Sequence, residues 1–217
     1  MDGVCRNGYL MITVACVLRS GGVYDPEWVE RLQRGVAAHM TRPYRFLCLS
    51  DVPVPCDRTE LQNHWPGWWS KLELFTLPGP VLYLDLDCIV TGPLDDLVQD
   101  TPSFTMCDDF LRPGVHNSSA MSWRGDFSEI ERLFAESPRA RMDQYRRTSD
   151  GRIGDQAWIE DVLATTGQTI RTFPTGRVVS YRVSAKDQVP DGASVVSFHG
   201  RPKPHEVKNG WVASAWT

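Results

Sequence analysis

The feature that most limits how this chain can fold is the run Val81-Leu82-Tyr83-Leu84, followed at once by Asp85-Leu86-Asp87. Four uninterrupted apolar residues are the pattern of a strand covered on both faces, as in a parallel sheet flanked by helices. Two carboxylates then break the run. Side chains alternate along an extended chain, so residues two apart project to one side. The spacing therefore predicts that Asp85 and Asp87 emerge together at the end of a buried strand, where open α/β sheets place their ligands. Two like charges so close are costly without a cation between them. A hard divalent ion carrying the phosphates of a nucleotide suits such a pair.

The flanking sequence reads as strands alternating with helices. Residues 11–18 form a first apolar strand, ending in the glycine loop Arg19-Ser-Gly-Gly22. Asp25-Pro26 has the chemistry of a helix start, with Trp28, Leu32, Val36 and Met40 on one stripe. Residues 44–49 are a second strand, closed by Ser50-Asp51, and strand–helix–strand implies parallel pairing. Asp51 would lie at the same sheet end as the two acids, either accepting from a base or ribose or capping its own loop. Residues 52–63 read as a loop and 70–75 as a helix facing the core through Leu72 and Phe75. Trp68 and Trp69 before it either anchor the core or stack on a sugar or base. Lys71 is placed to reach a phosphate.

Further on, residues 103–107 and 117–123 read as strands. Asp126 and Glu129 have the spacing of a capping box. Asp155 would cap a helix over 156–163, residues 169–173 and 177–183 are strand-like, and a last strand over 195–198 delivers His199. A histidine there, beside Gly200 and Lys203, is poised to meet metal and phosphate together.

At 217 residues the chain suits one domain with a sizeable core. A net charge of −4 carries no signature of nucleic-acid binding. The arginines at 139, 141, 146, 147 and 152 form the one dense basic run and read as a solvated helix face. Six cysteines show no Cys-x-x-Cys pair, and three lie within apolar strands, so a reducing, cytoplasmic setting is expected. The apolar stretch 9–18 is too short to span a bilayer, and no membrane insertion is expected.

With these pieces in order, the chain resembles glycosyltransferases of the GT-A fold, and is most similar in pattern to glycosyltransferase family 8. The resemblance rests on Lys71-Leu-Glu-Leu-Phe75, on Tyr83-Leu-Asp-Leu-Asp87 as an Asp-x-Asp signature, and on Asn117-Ser-Ser. Gly154-Asp-Gln156 and His199-Gly-Arg-Pro-Lys-Pro204 complete it. It implies a mixed, mostly parallel Rossmann-like α/β sheet, with a nucleotide-binding half over about 10–110 and a sugar and acceptor half over about 111–217. It also implies a nucleotide-diphosphate-sugar donor, a UDP-sugar above others, and manganese or magnesium held by Asp85, Asp87 and His199. Lys71 and Lys203 would neutralise the diphosphate, with Gly200 beside them. Asn117, Asp155 and Gln156 would line the sugar, the last two facing a cationic sugar carbon in a retaining transfer. The chain departs from the family pattern in having His205 where relatives often carry Trp, Ser119 for a Gly, and His199 directly before Gly200.

The acceptor carries no readable code: a glycan, a lipid-linked saccharide, a protein or a hydroxylated base in DNA would each be reached from loops. Two rivals compete with a transferase. Phosphatases of the haloacid dehalogenase class also end a strand in Asp-x-Asp, but Cys88-Ile89 stand where those usually carry Gly-Thr, and Ile159 where a second acid is needed. A non-catalytic nucleotide- or carbohydrate-binding protein would keep the fold and lose the ligand trio.

Overall fold

The computed structural model describes residues 11–217, so Cys5 and the start of the 9–18 stretch lie outside it. The first strand, β1 (Ile12–Leu18), is buried almost throughout. Its loop leads to α1 (Pro26–His39), where Asp25 accepts from the Glu27 amide and Pro26 occupies the first helical turn. Trp28, Leu32 and Val36 are buried as the four-residue stripe requires. The chain returns as β2 (Tyr44–Ser50), parallel to β1 over seven residue pairs.

Residues 57–60, expected as loop, form a short edge strand, β3 (Asp57–Glu60). All four of its side chains are exposed, so no hydrophobic alternation marks it in the sequence. The expected helix over 70–75 is a 3-10 segment, Gly67–Thr76. Then β4 (Val81–Leu84), buried at every residue, pairs parallel with β1. A short strand, β5 (Cys88–Val90), follows it. Antiparallel β6 (Ser103–Asp108) and β7 (His116–Arg124) come next, then α2 (Glu129–Ala135) and α3 (Pro138–Gln144).

The capping box expected at Asp126 is not made. Ser128 stands at the helix boundary, and Asp126 accepts from the Ser128 amide instead. Helix α4 (Gly154–Thr165) precedes β8 (Ile170–Thr172) and β9 (Val178–Ser180). The strand expected over 177–183 stops at Ser180, whose hydroxyl caps the single turn α5 (Tyr181–Ser184) through the Val183 amide. The chain ends with β10 (Val195–Ser197) and α6 (Gly210–Ala215).

Seven strands make one sheet, ordered β3-β2-β1-β4-β7-β6-β8, in which only the pairs with β7 are antiparallel to their neighbours. A second sheet is ordered β5-β10-β9. Apolar residues fill both faces of the large sheet. One layer joins α1, the small sheet and α6, and the other joins the 3-10 segment, α2 and α4. Burial on both sides is what the unbroken apolar run of β4 requires. Among the described residues no helix is long and apolar enough to cross a membrane.

Candidate active site

The two acids do not continue β4. The strand ends at Leu84, and Asp85–Asp87 form a tight turn closed by the Cys88 amide on the Asp85 carbonyl at 3.0 Å. Two further bonds fix this turn: the Asp85 amide donates to Ser119 O on β7, and the Phe198 amide donates to Asp87 O. The carboxylates therefore share a cavity because of the turn, not because of strand alternation. Leu86 between them is driven into the core. The cavity has a volume of about 860 Å³ and is walled by the β1 loop, the acid turn, the start of β7, the start of α4 and the loop after β10.

Lys71 is almost wholly buried and does not reach out to a ligand. Its ammonium lies 3.0 Å from Asp85 Oδ1 and 3.1 Å from Asp155 Oδ2, and it donates to Ser118 O and Oγ. Burial alone would discharge it; the carboxylates of Asp155 and Asp85 outweigh that and keep it protonated. Tyr83 OH also donates to Asp85. The Asp85 carboxyl is nevertheless pushed up to about 6, mainly by burial, with Lys71 opposing and the like charges of Asp87 and Asp155 adding to the rise.

Asp155 sits inside the first turn of α4 rather than at its cap, which Ile153 occupies. Its Oδ2 accepts from Ser118 Oγ at 2.7 Å as well as from Lys71. Beside it, Gln156 Oε1 lies 3.5 Å from Asn117 Nδ2, and Asn117 Oδ1 takes the Ser119 amide. Asn117, Asp155 and Gln156 thus face one region of the cavity.

On the opposite wall Lys203 Nζ bonds Asp87 Oδ2 and Phe198 O. Tyr24 OH donates to the same Asp87 oxygen at 2.9 Å. His199 Nε2 lies 2.7 Å from Ser180 Oγ, and its ring stacks on Phe110. Burial and the neighbouring Arg182 hold its pKa below the ordinary value, so it is neutral near pH 7, the form a metal ligand needs. Gly200, at φ +74, also lines the cavity.

Among the described residues no three His, Cys, Asp or Glu side chains are gathered round one point as a metal cage. Two hard carboxylates and a neutral imidazole nonetheless fit a divalent cation in chemistry. The protein's own ammonium, Lys203, stands on Asp87 where such a charge would be felt.

Two expectations need correction, and one open alternative is settled. Asp51 does not line the cavity: it accepts from Ser20 N and Oγ and pairs with Arg19, so it braces the β1 loop. Lys71 is a buried strut rather than a phosphate ligand. The adjacent tryptophans divide: Trp69 stacks on Phe134 in the core, whereas Trp68 is 58% exposed on the cavity rim. Tyr24 and Ser180 were not foreseen, and Ser118 enters the sequence reading only inside Asn117-Ser-Ser, with no role of its own. Each is a single hydroxyl residue whose role depends on a partner 19 to 63 positions away, which no local pattern records.

No protein-family model matches the chain, and no curated protein matches it in sequence. Solved structures do. The glycosyltransferase GlyE of Streptococcus pneumoniae TIGR4 superposes with a TM-score of 0.69 at 14% identity, over 94% of this chain and 59% of GlyE. The galactosyltransferase LgtC, solved with donor and acceptor sugar analogues, gives 0.58 at 14% identity over 94% of this chain and 91% of LgtC. A glycosyltransferase involved in glycosylating the major capsid of PBCV-1 gives 0.58 at 14% identity, over 88% and 94% of the two chains. The chain has the fold of these glycosyltransferases. It spans well under two thirds of GlyE, so the two share one region of that longer protein.

Proposed function

We propose that the protein is a glycosyltransferase that moves a sugar from a nucleotide-diphosphate donor, a UDP-sugar above others, with retention of anomeric configuration. The observation that carries this reading is the convergence, in one cavity on a glycosyltransferase fold, of the acid turn, Lys203 and the Asn117–Asp155–Gln156 wall. Asp85, Asp87 and His199 would hold a divalent ion, manganese or magnesium, which when bound offsets the charge that develops on the departing diphosphate. Lys203 would give up Asp87 and turn its ammonium to the phosphates, where its attraction grows as the bond breaks.

On the sugar side Asn117 and Gln156 offer amides that orient hydroxyls. Asp155, held in place by Lys71 and Ser118, presents negative charge towards the carbon that becomes electron-poor. The tyrosine hydroxyl of Tyr24 keeps Asp87 oriented.

The test is release of free nucleotide from a panel of nucleotide sugars, with manganese, with magnesium and with EDTA. Metal-dependent release from one donor, lowered by several orders of magnitude in Asp87→Ala with the fold kept, is the expected result. Full activity of Asp87→Ala would place the site elsewhere. Phosphate liberated from simple phosphoesters, with no nucleotide released, would favour the phosphatase chemistry instead.

A further inference from the structure

We propose that Trp68 is the platform on which an acceptor oligosaccharide lies, and that the acceptor chain continues from it into the groove beside α3. This rests on the transferase reading and adds the class of acceptor. In a 3-10 segment, side chains three apart eclipse, so Trp68 stands one turn above Lys71. Lys71 reaches Asp85 and Asp155, which sets the indole over the mouth of the reaction cavity. Its neighbours Trp65 and Trp69 pack on Phe134, whereas Trp68 leaves a large apolar face to solvent.

The nitrogen edge of the indole lies against backbone. A Cβ built on Gly154 would lie 2.9 Å from Trp68 Nε1, and Gly154 has φ +71, a backbone state that other residues resist. Glycine at 154 thus lets the ring press against the backbone that leads directly into Asp155 and Gln156. A rigid aromatic face beside the reacting end of a cavity offers contact area at small entropic cost, and the C–H faces of pyranose rings are apolar enough to cover it.

His64 also lines a second groove of about 550 Å³, formed with Trp65, Pro138, Arg139 and Met142. A groove of this volume beside the cavity has room for further sugar units, with Arg139 and His64 offering hydrogen-bond donors to hydroxyls. A nucleic acid fits the same surface less well. Arg141 lies over Trp158, Arg146 pairs with Asp143, and Arg152 is held by Asp150, Glu160 and Asp161, so most of the basic run is already engaged.

The test is an array of immobilised oligosaccharides probed with labelled wild type, Trp68→Phe and Trp68→Ala, circular dichroism confirming the fold of each. Wild type is expected to bind a set of glycans, trisaccharides and longer above monosaccharides. Trp68→Phe should keep most of this binding, and Trp68→Ala should lose at least tenfold. Should Trp68→Ala fail to fold, 19F spectra of fluorotryptophan-labelled wild type carry the test, the exposed indole resonance shifting on addition of the bound glycan.

Equal binding by wild type and Trp68→Ala, an array on which wild type binds no saccharide, or Trp68-dependent binding only to a duplex carrying hydroxymethylated cytosine would overturn the proposal. Nucleotide release by wild type is scored separately. Glycan binding without nucleotide release from any donor would strike the transferase reading and leave the platform standing.

Discussion

Lys71 shows how much of this site rests on single atoms. Its buried ammonium joins carboxylates from two elements remote in sequence, Asp85 after β4 and Asp155 in α4. Replacing it by methionine keeps the stem's volume and removes the charge, leaving two acids without their shared counter-ion. Breaking a buried pair from one side typically costs about 3–5 kcal/mol. Asp85, which burial already pushes up and Lys71 opposes, would then bind its proton still more tightly folded than unfolded, so the deficit should be largest at neutral pH and shrink as pH falls towards 5. Chemical denaturation of wild type and Lys71→Met at pH 7.5 and pH 5.5 checks this. A deficit that is the same at both pH values would mean that the ammonium is not what the carboxylates need.

At the scale of elements, α4 matters most because its first turn carries Asp155 and Gln156. Its outer face is tied down by Glu160, which accepts from the His116 amide at 2.8 Å and lies 2.6 Å from His116 Nδ1, with Arg152 at 3.0 Å. These contacts bind the helix to the start of β7 and to the loop before it. Burial pushes the Glu160 carboxyl up, and hydrogen bonds from His116 and Arg152 outweigh that and hold it below the ordinary range.

A depressed carboxylate stabilises the fold above its unfolded pKa, and that contribution is lost as pH falls through the folded value. Glu160→Gln should therefore cost about 1–3 kcal/mol at pH 7, with the gap to wild type closing below about pH 4. Thermal unfolding of the pair from pH 3 to 7 reads this directly; parallel curves across the range would count against it. Edge strand β3 shows the opposite situation. It is held by backbone pairing to β2 and by Arg58 donating to Ser50 O, with exposed side chains, which is why residues 57–60 look like loop in the sequence.

At the scale of the molecule, the cavity is walled by segments far apart in sequence: the β1 loop, the 3-10 segment, the acid turn, the starts of β7 and α4, and the loop after β10. A ligand that spans them adds links between both core layers, and its binding energy appears as stability. A UDP-sugar with manganese at about a hundred times its dissociation constant should raise the melting temperature by roughly 5–10 °C for a chain of this size. EDTA should abolish the rise. A shift of equal size without the ion would mean that the acid turn takes no part in holding the donor.

Much of this is legible in the sequence by itself. The unbroken apolar run of β4, the four-residue stripe and proline start of α1, and the order of the short motifs are local patterns. Local sequence suffices for them because burial on both faces, a helical repeat and a capped first turn each act within a few residues. That Asp85 and Asp87 line one cavity with Asn117, Asp155, Gln156, His199 and Lys203 accords with what the resemblance implies, although a turn and not strand alternation brings the two acids together. What only the tertiary structure decided is which charge meets which: Lys71 turned inward to two carboxylates, Asp51 spent on Ser20 and Arg19, Lys203 standing on Asp87, Trp68 left outside while Trp69 went in. Those outcomes depend on desolvation and on partners brought close by packing across the sheet, and neither is encoded within a turn or two of the residue concerned.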